Sequence, residues 1–131
     1  DDANAWLKKG CILIKLERYE EAIECFNKSI EINPNDKYAV NKLEFKVLSL
    51  HKLERNEEAL EGCNKIIKIK PDDIDAWQNM GLSFSKLERY EESLECYNKA
   101  IELKPDDYAI WVNKGFSHCK LGGFDDALGA F

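Results

Sequence analysis

Apolar residues recur along this chain at helical intervals. Between positions 19 and 33, Ala22, Ile23, Phe26 and Ile30 return every three or four residues with Glu and Lys between them. That spacing puts one apolar stripe on one face of a helix. Pro34 stops the pattern, and acidic residues behind each proline, such as the Asp72-Asp73 pair, are placed to cap the helix that follows. No segment shows the strict two-residue alternation of a half-buried strand, so the pattern predicts an all-α chain.

The same pattern then repeats. The hexamer LERYEE occurs at 16–21 and again at 87–92, with LERNEE at 53–58 between them. The match runs on downstream, as ERYEEAIECFNKSIEINPND, ERNEEALEGCNKIIKIKPDD and ERYEESLECYNKAIELKPDD. Upstream, all three tryptophans fall in one context: NAWLKKG, DAWQNMG and AIWVNKG. Trp77 and Trp111 are 34 residues apart, as are Pro71 and Pro105, and Gly81 and Gly115. A fixed period of this length marks a stack of helix pairs, none of which buries its apolar face alone. The hexamer is then a corner, with Leu ending one helix, Tyr near the turn and Glu opening the next.

These residues resemble the tetratricopeptide repeat. The resemblance rests on Trp6, Gly10, Ala22, Phe26 and Pro34 in the first unit, and on Trp77, Gly81, Ser93, Tyr97 and Pro105 in the third. Trp111, Gly115, Ala127 and Phe131 continue it to the last residue. The fold it implies is an α-α superhelix, a solenoid of antiparallel helix pairs in a single array. Its repeats would span 3–36, 37–73, 74–107 and a truncated 108–131. Both ends read as cut from a longer array, because Asp1-Asp2 matches the acidic pairs that close other units and no capping helix follows.

The second unit is irregular. The first two hexamers begin 37 residues apart and the next two 34 apart, so three residues are extra. The expectation is that they lengthen the unit's first helix, over 37–53, and turn the rest of it to a shifted face. Counting forward from Asn35-Asp36, Val40 stands in the Trp place and Glu44 in the Gly place. Further on, Cys63 takes the Phe26 place and Ile66 the small Ser29 place, an exchange that roughly conserves volume.

Charge narrows the functions. The chain of 131 residues carries a formal charge of −6, with Lys alternating with Glu and Asp. Nucleic acid is not expected as a partner, because phosphate binding rests on clustered Lys and Arg. No apolar run approaches a transmembrane span, so no membrane partner is expected. Cys11, Cys25, Cys63, Cys96 and Cys119 are an odd number without close pairs, which reads as thiols in a reducing cytoplasm. His51 and His118 lie in different units, and His118-Cys119 are neighbours that point about 100° apart on a helix. No metal site, cofactor or catalytic constellation is predicted, and the chain is not expected to be an enzyme. Gly122-Gly123 reads as a turn between two helices.

The resemblance implies a concave groove, lined by the first helices of successive units, that holds a peptide or helical segment. Its residues in this sequence would be Leu7, Cys11 and Ile14, then Tyr38, Asn41, Phe45 and Leu48, then Gln78, Leu82 and Lys86, then Val112 and Phe116. Some members clamp the C-terminal carboxylate of heat-shock chaperones with a Lys–Asn–Asn–Lys–Arg set. Here Leu7, Cys11, Asp75 and Asn79 occupy four of those places, so that ligand is not expected. The function implied is a protein-interaction scaffold. The alternatives are self-association into a homo-oligomer, or the regulatory arm of an enzyme whose catalytic domain lies elsewhere.

Overall fold

Three times along the chain, a helix of thirteen or fourteen residues ends at a leucine and reverses through a glutamate. The structure, a computed structural model, describes the backbone of residues 2–129 and the side chains of residues 2–122. Its helices are α1 (Asp2–Lys15), α2 (Tyr19–Ile32), α3 (Ala39–Lys52), α4 (Asn56–Ile69), α5 (Ile74–Lys86), α6 (Tyr90–Leu103) and α7 (Tyr108–Gly129). No strand occurs among the described residues, and the fold class is the all-α helical repeat. The helices form two compact units, α1–α4 up to Pro71 and α5–α7 from Asp72.

The corner explains why the hexamer recurs. Glu17, Glu54 and Glu88 have φ of 57°, 56° and 61°, the left-handed conformation that a helix C-terminus needs to reverse. The Arg18 amide then donates to the Leu13 carbonyl at 2.9 Å and the Glu17 amide to Ile14 at 2.9 Å. This is the paired closure of a Schellman turn, and it satisfies two orphan carbonyls. Arg55 to Leu50 and Arg89 to Phe84 repeat it at 2.9 and 2.8 Å. The arginine side chain turns forward instead, with Arg18 Nε and Nη2 donating to both carboxylate oxygens of Glu21. Arg55–Glu58 and Arg89–Glu92 do the same. Glutamate rather than glycine at the reversal is what the sequence reading lacked.

Each helix pair closes on one small-against-large contact. A Cβ on Gly10 would lie 2.6 Å from Phe26 Cε1, and one on Gly81 2.6 Å from Tyr97 Cε1, so the aromatic ring lies against bare backbone. In the α3–α4 pair the sizes are reversed. Val47 holds the glycine's place, and Gly62 on α4 faces it, with a Cβ there falling 2.6 Å from Val47 Cγ2. Cys63 and Ile66, both buried, complete the exchange.

The extra residues are not where the sequence reading put them. α3 has fourteen residues against thirteen in α5, so the helix is barely longer. The connection 33–38 has six residues, while 70–73 and 104–107 have four. Most of the extra length therefore precedes α3. Counted back from the corner, the Trp place holds Leu43 and the Gly place Val47, which corrects the assignment to Val40 and Glu44.

The long connection is held by a buried lysine. Lys42 is 0% exposed, and its Nζ donates to the Asn33 carbonyl at 2.8 Å, the Ser29 carbonyl at 3.3 Å and Asp36 Oδ2 at 2.8 Å. Asp36 Oδ1 accepts from the Tyr38 amide at 2.9 Å. The shorter connections use simpler caps: Asp73 accepts from the Ala76 amide and Asp107 from the Ala109 amide, each at 3.0 Å.

The backbone of α7 remains helical through Gly122-Gly123, so the expected turn is absent there. Two glycines lower helix propensity by roughly 1 kcal/mol each without forbidding the conformation. The Ala127 and Phe131 places of the last repeat lie outside the residues whose side chains are described.

Candidate functional site: a recess in each unit

In the first unit, α1 presents Asn4, Leu7, Lys8, Cys11 and Ile12, each three or four residues from another of the set, as a single stripe of its surface. Tyr38, Asn41 and Phe45 face that stripe across a recess of about 590 Å3. Five residues expected from the sequence thus meet here: Leu7, Cys11, Tyr38, Asn41 and Phe45. Asn4, Lys8 and Ile12 enlarge the lining, and all three lie within one helical turn of Leu7 or Cys11.

The floor of this recess is continuous with the core. Phe45 is half-buried and stacks on Phe26, with centroids 5.9 Å apart and planes at 21°. Leu7, Cys11 and Ile14 pack against the cluster of Leu13, Ala22, Cys25 and Phe26. Burial pushes the Cys11 thiol above its ordinary range, against the pull of Lys15, so it serves as an apolar lining atom. The rim is polar: Asn4 and Asn41 carry amides, Lys8 is exposed, and Lys37 Nζ stands 5.1 Å from the Tyr38 ring centre.

The second unit has its own recess of about 450 Å3 between α5, α6 and α7. Leu82, Lys86 and Phe116 of the expected set line it, with Ser85, Tyr90, Asn113 and Lys120. Phe116 is 56% exposed, and Lys120 Nζ stands 5.5 Å from its ring centre. Tyr97 forms part of the wall, and burial pushes its hydroxyl up to about 12.

Four expected residues line neither recess. Ile14 belongs to the core cluster, and Gln78 is half-buried on α5. Leu48 is 42% exposed on α3, and Val112 is 51% exposed on α7. The reason is register: Ile14 and Leu48 sit where their helix face turns toward, or away from, the neighbouring helix.

Among the described residues no three His, Cys, Asp or Glu side chains are grouped to hold a metal ion. No disulfide joins the cysteines; Cys25, Cys63 and Cys96 are buried, and burial pushes Cys96 up to about 12. No described helix is long and apolar enough to cross a membrane.

Comparison with known proteins agrees on the architecture. The first TPR of Spaghetti (RPAP3), bound to the HSP90 peptide SRMEEVD, superposes with a TM-score of 0.85 at 21% identity, covering 93% of this chain and 94% of that one. MamA (41-end) from Desulfovibrio magneticus RS-1 gives 0.84 at 24% identity over 98% and 71%. The Sgt2 TPR domain from Aspergillus fumigatus gives 0.82 at 18% identity over 96% and 83%. At these identities the likeness concerns fold. No curated protein matches the sequence significantly. One tetratricopeptide repeat model matches residues 3–36 and 74–107, and a second matches 96–129. The chain belongs to the tetratricopeptide repeat family.

Proposed function

We propose that this chain is a protein-interaction scaffold whose first unit holds a peptide or helical segment in the α1–α3 recess. The observation that carries this reading is the pairing of an apolar floor with a polar rim. Leu7, Cys11 and Phe45 offer surface that a partner's apolar side chain would cover, and the Asn4 and Asn41 amides offer both donors and acceptors to a peptide backbone. The complex of the first TPR of Spaghetti (RPAP3) with an HSP90 peptide supports peptide capture by this fold. The ligand class differs here: Leu7, Cys11, Asp75 and Asn79 replace cationic and amide groups of the carboxylate clamp, so an apolar segment fits better than a chaperone tail.

The test is capture of partners by wild type and by Asn41→Arg. Asn41 is exposed, so the change fills the recess mouth without touching the core. Loss of a captured partner with unchanged helicity and melting supports the reading. Retention of every partner removes it.

Self-association is the second reading, favoured by Tyr108, Trp111, Val112 and Phe116 standing exposed along α7. Light scattering over a concentration series decides it, since a constant monomer mass excludes a homo-oligomer.

A further inference from the structure

Trp6 of α1 lies beneath two lysines, with Lys9 Nζ 5.2 Å and Lys28 Nζ 5.5 Å from its ring centre. The indole fills the space between the two helices of its pair and gives both cations an electron-rich face. Thirty-seven positions on, the corresponding places hold Leu43, Lys46 and Lys65. Both lysines are kept, but the ring between them is gone. Leucine is smaller than tryptophan, and a recess of about 640 Å3 opens here, lined by Asn27, Ile30, Pro34, Leu43, Lys46, Lys65, Lys68 and Ile69, with Glu31. It uses a different face of α3 from the recess of Tyr38, Asn41 and Phe45.

The charge in this recess is unbalanced. Lys46, Lys65 and Lys68 have no carboxylate at ion-pair distance among the described residues. Glu31 is the one acidic lining residue. Burial, together with nearby Lys65, holds the Lys46 ammonium below its ordinary range, against the opposing pull of Glu58 and Glu61. In a chain of net charge −6, this is a local positive site with an apolar floor. Its size is within the range of ligand pockets, roughly 300–1,000 Å3.

We infer that the α2–α3–α4 recess is a second docking site, which takes an acidic peptide segment presenting one aromatic side chain. The aromatic side chain occupies the place that Trp6 fills in the first pair, against Ile30 and Leu43. Flanking carboxylates pair with Lys46, Lys65 and Lys68. This site is independent of the α1–α3 recess, and either can fail without the other.

The probe is the acetylated, amidated and fluorescein-labelled peptide Asp-Glu-Phe-Glu-Asp, followed by anisotropy on the full chain. Saturable binding that weakens with added salt is expected, with methyl shifts at Ile30, Leu43 and Ile69 in NMR titration. Leu43→Trp rebuilds the missing ring and should weaken binding at least about tenfold without lowering the melting midpoint. Lys65→Glu with Lys68→Glu alters two exposed side chains and should do the same, so the test survives poor folding of the tryptophan variant. Peptides with Ser for Phe, or with Asn and Gln for the acids, should bind at least about tenfold more weakly. Shifts at Leu7 and Phe45 instead, affinity unaffected by both variants, or no saturable binding would overturn the assignment. So would binding to phosphatidylserine vesicles without peptide binding, which would give the lysines to a lipid surface.

Discussion

Lys42 Nζ lies 2.8 Å from Asp36 Oδ2, six residues back in the chain, and the two close the connection between α2 and α3. Lys42 is fully buried while the Asp36 side chain keeps 15% exposure. Two backbone carbonyls complete the ammonium's coordination, which is what makes a buried lysine tolerable.

Removing Lys42 as Lys42→Met should cost about 2–3 kcal/mol, measured by urea unfolding. The hydrogen bond from Lys42, helped by the Tyr38 amide against the opposing effect of burial, holds the Asp36 carboxyl below its ordinary range. A carboxylate lowered on folding stabilises the protein above its unfolded pKa and loses that effect as pH falls through the folded value. The stability gap between wild type and Asp36→Asn should therefore be full near neutrality and shrink below about pH 4. A gap that widens on acidification would contradict the pairing.

Gly62 and Val47 form a size-matched pair. Gly62→Ala should destabilise by about 1–3 kcal/mol, since the new methyl meets Val47 Cγ2. Val47→Ala in the same chain should recover most of that loss, and a double-mutant cycle measures the coupling.

The left-handed glutamates carry a conformational penalty that glycine would not. Glu54→Gly or Glu88→Gly should raise stability by about 0.5–1 kcal/mol, net of the larger freedom of glycine in the unfolded chain. Thermal melts of the two variants provide the check. The forward arginine–glutamate pairs are exposed and contribute little, so raising salt should barely move the midpoint.

Phe45→Ala and Phe116→Ala should separate. Phe45 stacks on Phe26 as part of the core, so its loss should cost about 2–4 kcal/mol in addition to any effect on binding. Phe116 is largely exposed, and its truncation should leave unfolding within about 0.5 kcal/mol of wild type. Calorimetry on the two variants distinguishes the roles.

Helices α1–α6 were legible because each has an apolar stripe and their pairs share a repeated corner, whereas α7 lacks a clear stripe and runs on through Gly122-Gly123. Spacing marked Gly10, Phe26, Gly81 and Tyr97 as repeat positions, but that each ring lies on the glycine of its own helix pair emerges only from the packing. The second unit was harder, because its three extra residues can be counted from either end. Counting forward from Asn35-Asp36 assumes that connections keep a constant length, while the Schellman corners show that the helix C-terminus is the fixed point. Lys42 gave no signal, since a single lysine between Asn41 and Leu43 resembles a solvated one until the chain folds around it. The recess residues Leu7, Cys11 and Phe45 were expected from the family resemblance, but their share in the core depends on three-dimensional packing against Phe26.

The clasp of Lys42 over the 33–38 connection also has a practical meaning for protein engineers. It is a portable cassette: a longer link between helix pairs, an aspartate within it, and a lysine four positions into the following helix. Ala76 stands where Lys42 does, one repeat later. Grafting the six-residue link in place of 70–73 together with Ala76→Lys would transplant the joint whole. Repeat arrays could then be fitted with joints of two lengths at chosen positions, each held by its own lock.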